Sequence, residues 1–243
     1  MEISAYMTSI RPYRWLEIYE MLKKTGLNFE LVIVGPYKPN FELPKEVRFY
    51  QSTLKPMQCF HAAVTMCTGQ TLLQLVDDVT YQDGGIAKMY EEVIGKDNVM
   101  ATCEYYIGDS NHASDQTISV YNPNDLPLLP VCGLYRREAY EKMGGLDRRF
   151  MGVMGELDLY MRMRVNGYKT VFVKFFCQED KQYQTKDNTS AFSRYGADRS
   201  VFVKLWTWGG GTPMNKENLG TVRQDIVRSY ENKDLLTIEQ NYP

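Results

Sequence analysis

The chain has 243 residues, 44% hydrophobic, 24% charged and 13% aromatic. That balance supports a sizeable core and excludes wholesale disorder, a collagen-like repeat or a long coiled coil. A net charge of −2 and a pI near 5.8 exclude a strong global positive field that would gather polyanions, and leave room only for a local basic patch.

In chain order, Ile3 to Tyr6 begins a strand and residues 8–12 form a loop ending in Pro12, which suits a first helical turn. Trp15, Ile18, Tyr19 and Leu22 then recur at helical spacing, and Gly26 stops the helix after two lysines. Glu30 to Val34 reads as a buried strand broken by Gly35-Pro36. A helix over 57–68, a strand over 71–76 ending in Asp77-Asp78, a helix carrying Ile86, Met89, Tyr90 and Val93, and a strand over 99–103 follow. Alternating strands and helices predict an α/β fold: a Rossmann-like, mostly parallel sheet with helices on both faces. Ligands of such sheets bind beyond the carboxyl ends of the strands, where residues 8–12 and Asp77-Asp78 both fall.

From 104 to 130 the pattern loosens into an insertion rich in turn residues. A short helix over 136–143, a helix over 156–166, a strand over 168–176 and a helix over 190–206 complete the domain, and a polar tail closes the chain. The N-terminus carries no signal-peptide pattern and no apolar run approaches the ~20 residues of a membrane span. Five scattered cysteines contain no Cys-x-x-Cys pair, which disfavours a structural zinc site and predicts free, buried thiols in a cytoplasmic protein.

Two segments carry chemistry. Asp77-Asp78 ends an apolar strand, where paired carboxylates suit Mg2+ or Mn2+ bound with a phosphate; a strand-ending turn is the plainer reading of the same pair. The second runs Gly144-Gly145-Leu146-Asp147-Arg148-Arg149-Phe150 and on to Gly155-Glu156-Leu157-Asp158. Glu156, at a helix start after a glycine-rich loop, is a candidate general base, or a carboxylate that complements the helix dipole. Asp158 is read either as a second catalytic carboxylate or as the i,i+4 partner of Arg162.

Taken together, these segments resemble the family 2 nucleotide-sugar glycosyltransferases of the GT-A fold. In that family an Asp-x-Asp type motif ends a strand of the nucleotide-binding half. A Gly-Gly-Phe-Asp-x-x-Phe segment then leads to a Glu-Asp type motif and Asp-Leu-x-x-Arg. Residues 144–150 match with Leu146 for Phe, and Asp158-Leu159-Tyr160-Met161-Arg162 matches the last part. Thr68-Gly69 and Arg136-Arg137-Glu138 also fit. The resemblance implies a single GT-A domain over 1–206, with a nucleotide-binding half (1–103) and an acceptor half (104–206), and a C-terminal extension over 207–243.

It further implies an inverting transferase, moving a hexosyl or pentosyl group from a nucleoside-diphosphate sugar to an acceptor hydroxyl, with a UDP-sugar as the first donor to consider. The acceptor would be a glycan or another hydroxyl-bearing molecule, a modified nucleic-acid base included. By this resemblance Thr8, Ser9 and Arg11 line the donor together with Asp77. Asp77 and Asp78 hold Mn2+ or Mg2+, and Glu156 deprotonates the acceptor.

The chain departs from the family pattern at four places. Gly35 stands where an Asp usually helps hold the base, leaving Tyr37 as a stacking candidate. Val79 takes the third position of the metal motif, and the His that sometimes completes the family's metal shell near the strand after Gly167 is replaced by a segment in which Glu179 or Asp180 could substitute. Gly155 precedes Glu156 in place of a carboxylate. Lys55 and Gln58, at a helix entrance, either face the nucleotide or are ordinary surface polar groups. Two other readings compete: a degenerate GT-A domain that binds a glycan or nucleotide without catalysis, and a nucleotidyltransferase, which the glycine-free loop over 8–12 disfavours.

Overall fold

The computed structural model describes residues 1–107, 132–147, 149–179 and 195–206. Its first half is the expected α/β unit. Strand β1 (Ile3–Thr8) leads through a 3-10 turn (Pro12–Arg14) into helix α1 (Trp15–Lys23), and β2 (Phe29–Gly35) returns beside β1. Strand β3 (Val47–Gln51), helix α2 (Pro56–Met66) and strand β4 (Thr71–Gln74) extend the pattern. The chain then runs through β5 (Val79–Tyr81), α3 (Gly85–Val93), β6 (Val99–Ile107), β7 (Leu134–Arg136), α4 (Arg137–Lys142), α5 (Gly155–Val165), β8 (Lys169–Glu179) and α6 (Tyr195–Trp206).

Among the described residues the strands form one eight-stranded sheet in the order β3-β2-β1-β4-β7-β6-β8-β5. The pairs β1–β2, β1–β4, β2–β3 and β6–β8 are parallel, whereas β7 runs antiparallel to both β4 and β6, and β5 antiparallel to β8. The sheet is therefore mixed and mostly parallel. Its central strands are buried along their length, as strands covered by helices on both faces must be: every residue of β2 is buried. Trp15 of α1 packs on Phe49 of β3 at 4.9 Å between ring centroids, and on the other face Phe60 of α2 meets Tyr6 of β1 edge-on at 5.9 Å.

Three strands were not expected. β5 and β7 have three residues each, too short to show a period, and both are held by pairing with neighbours distant in the chain. β3 alternates weakly because most of it is only half-buried. The strand expected over 99–103 continues to Ile107, and that expected over 168–176 runs to Glu179, because the two pair along their whole length across an irregularity after Cys103. The remainder of the expected insertion, the start of the helix expected from 190 and the tail over 207–243 lie outside the described residues. Among the described residues no helix is long and apolar enough to cross a membrane.

Among the described residues the expected free thiols are found: Cys59, Cys67, Cys103 and Cys132 are buried and unbridged, while the Cys177 side chain lies outside the described residues. Burial pushes the Cys59 thiol up to about 11 and that of Cys67 up to about 12, which leaves both unreactive near neutral pH.

Candidate active site

Parallel strands β3, β2, β1 and β4 end at Gln51, Gly35, Thr8 and Gln74 along one edge of the sheet. That edge gathers most of the expected site. Beyond β1 the chain turns sharply, and Asp77, after β4, is what shapes the turn. Its Oδ2 accepts hydrogen bonds from Ser9 Oγ at 2.8 Å, the Ile10 amide at 3.0 Å and the Arg11 amide at 3.1 Å. Its Oδ1 meets the Arg11 guanidinium at 2.5 Å. Ser9 Oγ also accepts from the Trp15 indole at 2.6 Å, which ties the turn to α1. Asp77, Ser9 and Arg11 are all at most 5% exposed. These three residues, the expected donor contacts, hold each other.

Arg14 completes the arrangement, and the sequence reading missed it. Buried at 4% exposure, it reaches across from the 3-10 turn to the carbonyls of Asp77 at 3.4 Å and Val79 at 3.5 Å, and to Thr80 Oγ at 3.3 Å. The only signal was its place three residues after Arg11 in Arg11-Pro12-Tyr13-Arg14. Asp78 is half-buried beside this clasp, 3.7 Å from the Arg11 guanidinium. Among the described residues no group of three or more His, Cys, Asp or Glu side chains could enclose a metal ion. Strand pairing sets Glu179 opposite Val79, so β8 returns beside the Asp77-Asp78 turn. The side chain of Glu179, and Asp180 altogether, lie outside what the structure describes.

The remaining donor candidates sit on the same edge. Thr8 is half-buried at the end of β1 and Tyr37 is 59% exposed in the turn after β2. Lys55 and Gln58 are half-buried at the entrance to α2, where the Lys55 amide donates to Gln58 Oε1 at 3.1 Å. Gln58 thus contributes half of a capping box, a local role that accounts for its position. One departure from the family pattern has a steric cause, and a second sits in a tight place. A Cβ at Gly35 would fall 1.9 Å from the Ser9 carbonyl oxygen, so no carboxylate fits at this strand end. A Cβ at Gly155 would meet Met57 Sδ at 3.0 Å and Phe150 Cβ at 3.2 Å.

Glu156 approaches from the other half of the chain. The Met57 amide of α2 donates to the Met151 carbonyl at 2.9 Å, which draws the run before α5 to the same edge. Met154 holds the left-handed conformation, φ 70°, at the entrance to α5, and Glu156 follows in the first turn. One turn further, the Tyr160 hydroxyl donates to Gln74 Oε1 at 2.5 Å, so this face of α5 lies over the end of β4, three residues before Asp77. Glu156 is half-buried as a residue, but its Oε2 is enclosed and has no hydrogen-bond partner among the described residues. Burial pushes its carboxyl up to about 7; its own amide N–H lowers it in part, and the Asp198 carboxylate adds to the rise. A helix N-terminus favours the ionised form by only ~1 kcal/mol, so desolvation wins.

Asp158 lies further along α5. It is 0% exposed and paired with Arg162, whose Nε lies 2.9 Å from its Oδ2. Arg162 in turn donates to the carbonyls of Met143 at 2.5 Å and Gly145 at 2.6 Å. The pair braces the glycine loop. The i,i+4 pair expected from the sequence is present.

No protein-family model and no curated protein matches the sequence. Solved structures do match by fold. S. aureus TarS, residues 1–349, aligns over 90% of this chain and 68% of its own, with TM-score 0.58 at 10% identity. Its complex with UDP-GlcNAc aligns over 90% and 69%, with TM-score 0.60 at 12% identity, and the complex with UDP over 74% and 60%, at 0.55 and 11%. The chain therefore shares its fold with S. aureus TarS, and its mixed, mostly parallel sheet with helices is GT-A-like, as expected from the sequence.

Proposed function

We propose that the protein is an inverting glycosyltransferase that moves a sugar from a nucleoside-diphosphate sugar, a UDP-sugar first among them, to an acceptor hydroxyl. The single observation behind this reading is Glu156: a carboxyl with one enclosed, unpartnered oxygen and a pKa near 7, over the carboxyl end of β4. A general base works best when its pKa lies near the working pH. In the step, the acceptor hydroxyl gives its proton to Glu156 as its oxygen bonds to the anomeric carbon. The bond from that carbon to the diphosphate oxygen breaks, and the electron pair leaves with the diphosphate. Attack opposite the leaving group inverts the anomeric centre. The UDP-GlcNAc and UDP complexes of TarS support a UDP-sugar as the donor to test.

A cation would be held differently from the sequence expectation. Asp77 already accepts hydrogen bonds at both oxygens, so Asp78 is the carboxylate offered to Mn2+ or Mg2+. Mg2+ is commonly held by one or two carboxylates plus substrate phosphates, and the residues fit an ion that arrives with a diphosphate. Such an ion would offset negative charge on the leaving group. The chain itself fixes the turn that presents Asp78, through Arg11 and Arg14, and supplies the base.

The second reading, a nucleotide-binding module without catalysis, draws on the same saturation of Asp77. Glu156→Gln separates the two. The variant is expected to keep the thermal stabilisation given by UDP and to lose on the order of 10²-fold or more in UDP release from UDP-GlcNAc. A wild-type rate would remove Glu156 from the mechanism.

A further inference from the structure

Helix α6 meets the run ahead of α5 through Asp198. Asp198 is 1% exposed, and its carboxylate accepts from the Gly152 amide at 2.7 Å and the Val153 amide at 3.0 Å, with the Met151 amide 3.3 Å from either oxygen. One turn on, Phe202 is fully buried and its ring lies 6.4 Å from that of Phe150. The carbonyl of Met151 meanwhile accepts from α2. The run ahead of α5 is thus held on its N–H side by α6 and on its carbonyl side by α2, and Met154 then takes the left-handed conformation that starts the helix. A non-glycine residue keeps such a conformation only where its surroundings over-determine it.

We propose that Asp198 is a positioning residue for the transfer: by holding residues 151–153 it sets where α5 begins and so where Glu156 stands. The inference rests on Glu156 being the base. Among the described residues Asp198 from α6 is the titratable group that acts on Glu156, and Glu156 in turn raises the Tyr160 hydroxyl one turn along α5; Met57 of α2 and Phe150 close the helix start with apolar contacts. Asp198 acts on the base twice, by geometry through the backbone and by charge across space. A brace of purely structural kind would do only the first.

The test uses the full chain with glutamate 13C-labelled at the carboxyl carbon, the Glu156 signal being the one absent from Glu156→Gln. Asp198→Asn keeps the shape and removes the charge. Its Glu156 midpoint is expected below the wild-type value of about 7, with the rise of UDP release from UDP-GlcNAc against pH moved the same way. Its kcat is expected to fall on the order of 10- to 100-fold with KM for UDP-GlcNAc unchanged, because the donor edge is untouched. If Glu156→Gln loses turnover while Asp198→Asn leaves the midpoint and the pH profile in place, the base stands and the positioning role is overturned. If Glu156→Gln turns over at the wild-type rate, the base assignment itself has failed. Amide exchange in the wild-type chain guards against a variant that does not fold: the Gly152 and Val153 N–H groups are expected among the protected amides, and free exchange at both overturns the clamp.

Discussion

Asp77 and Asp78 are neighbours in the chain with different work. Asp77 is saturated by the turn it shapes and is buried with Arg11, whereas Asp78 stands half-buried at the rim of the same clasp. Removing Asp77 would take the closer carboxylate from the buried Arg11 guanidinium and leave the more distant Asp78, a loss on the order of 3 kcal/mol. Asp77→Ala is therefore expected to lower Tm and abolish stabilisation by UDP with or without Mn2+. Asp78→Ala is expected to melt near the wild type and to lose only the part of the UDP shift that Mn2+ adds. Thermal melts with UDP, with Mn2+ and with chelator distinguish the two, and equal behaviour would mean that the carboxylates share one role. In the sequence the pair reads as a unit, because nothing in Leu75-Val76-Asp77-Asp78 shows that the partners of the first carboxylate lie more than sixty residues earlier.

At the scale of elements, the end of β2 decides how the first loop sits. Gly35 passes so close to Ser9 that a methyl group would fall 1.9 Å from its carbonyl oxygen. Gly35→Ala is expected to cost roughly 3 kcal/mol, a fall in Tm on the order of 10 °C, and to weaken UDP binding because Ser9 leads into the Asp77 clasp. Gly196→Ala, in helix α6 with open space around it, is expected to be neutral or to stabilise by up to about 1 kcal/mol. Equal melts would show that the loop yields. Helices α1, α2, α3 and α5 were legible because their apolar residues recur at helical spacing or their glycines stop them. The strand ends were less so. β7 and β5 exist through pairing with distant strands, and a run of three residues carries no period of its own. The same limit hid Asp198: one acid in a polar helix start looks solvated until residues 151–153 fold against it.

Across the whole molecule two glutamates pull stability in opposite directions with pH. Glu30 lies away from the site edge, level with Ser4 of β1. Burial alone would raise its carboxyl, but hydrogen bonds from Ser4 and Thr68 and the charge of Arg48 outweigh it, so it sits below its usual value of 4.5. A depressed carboxyl contributes stability above its unfolded pKa and loses it as pH falls through the folded one. Glu156 is the reverse. Raised from 4.5 to about 7, it contributes most below 4.5 and loses that contribution as pH rises to about 7. Tm against pH is therefore expected to climb out of acid, pass a maximum, and decline between about pH 5 and pH 8. Glu156→Gln should flatten the decline and leave the acid limb. Glu30→Gln should lower Tm at neutral pH, weaken the acid limb and leave the decline. A decline that survives in Glu156→Gln would show that the carboxyl over β4 is not the buried, hard-to-ionise group on which the proposed chemistry depends.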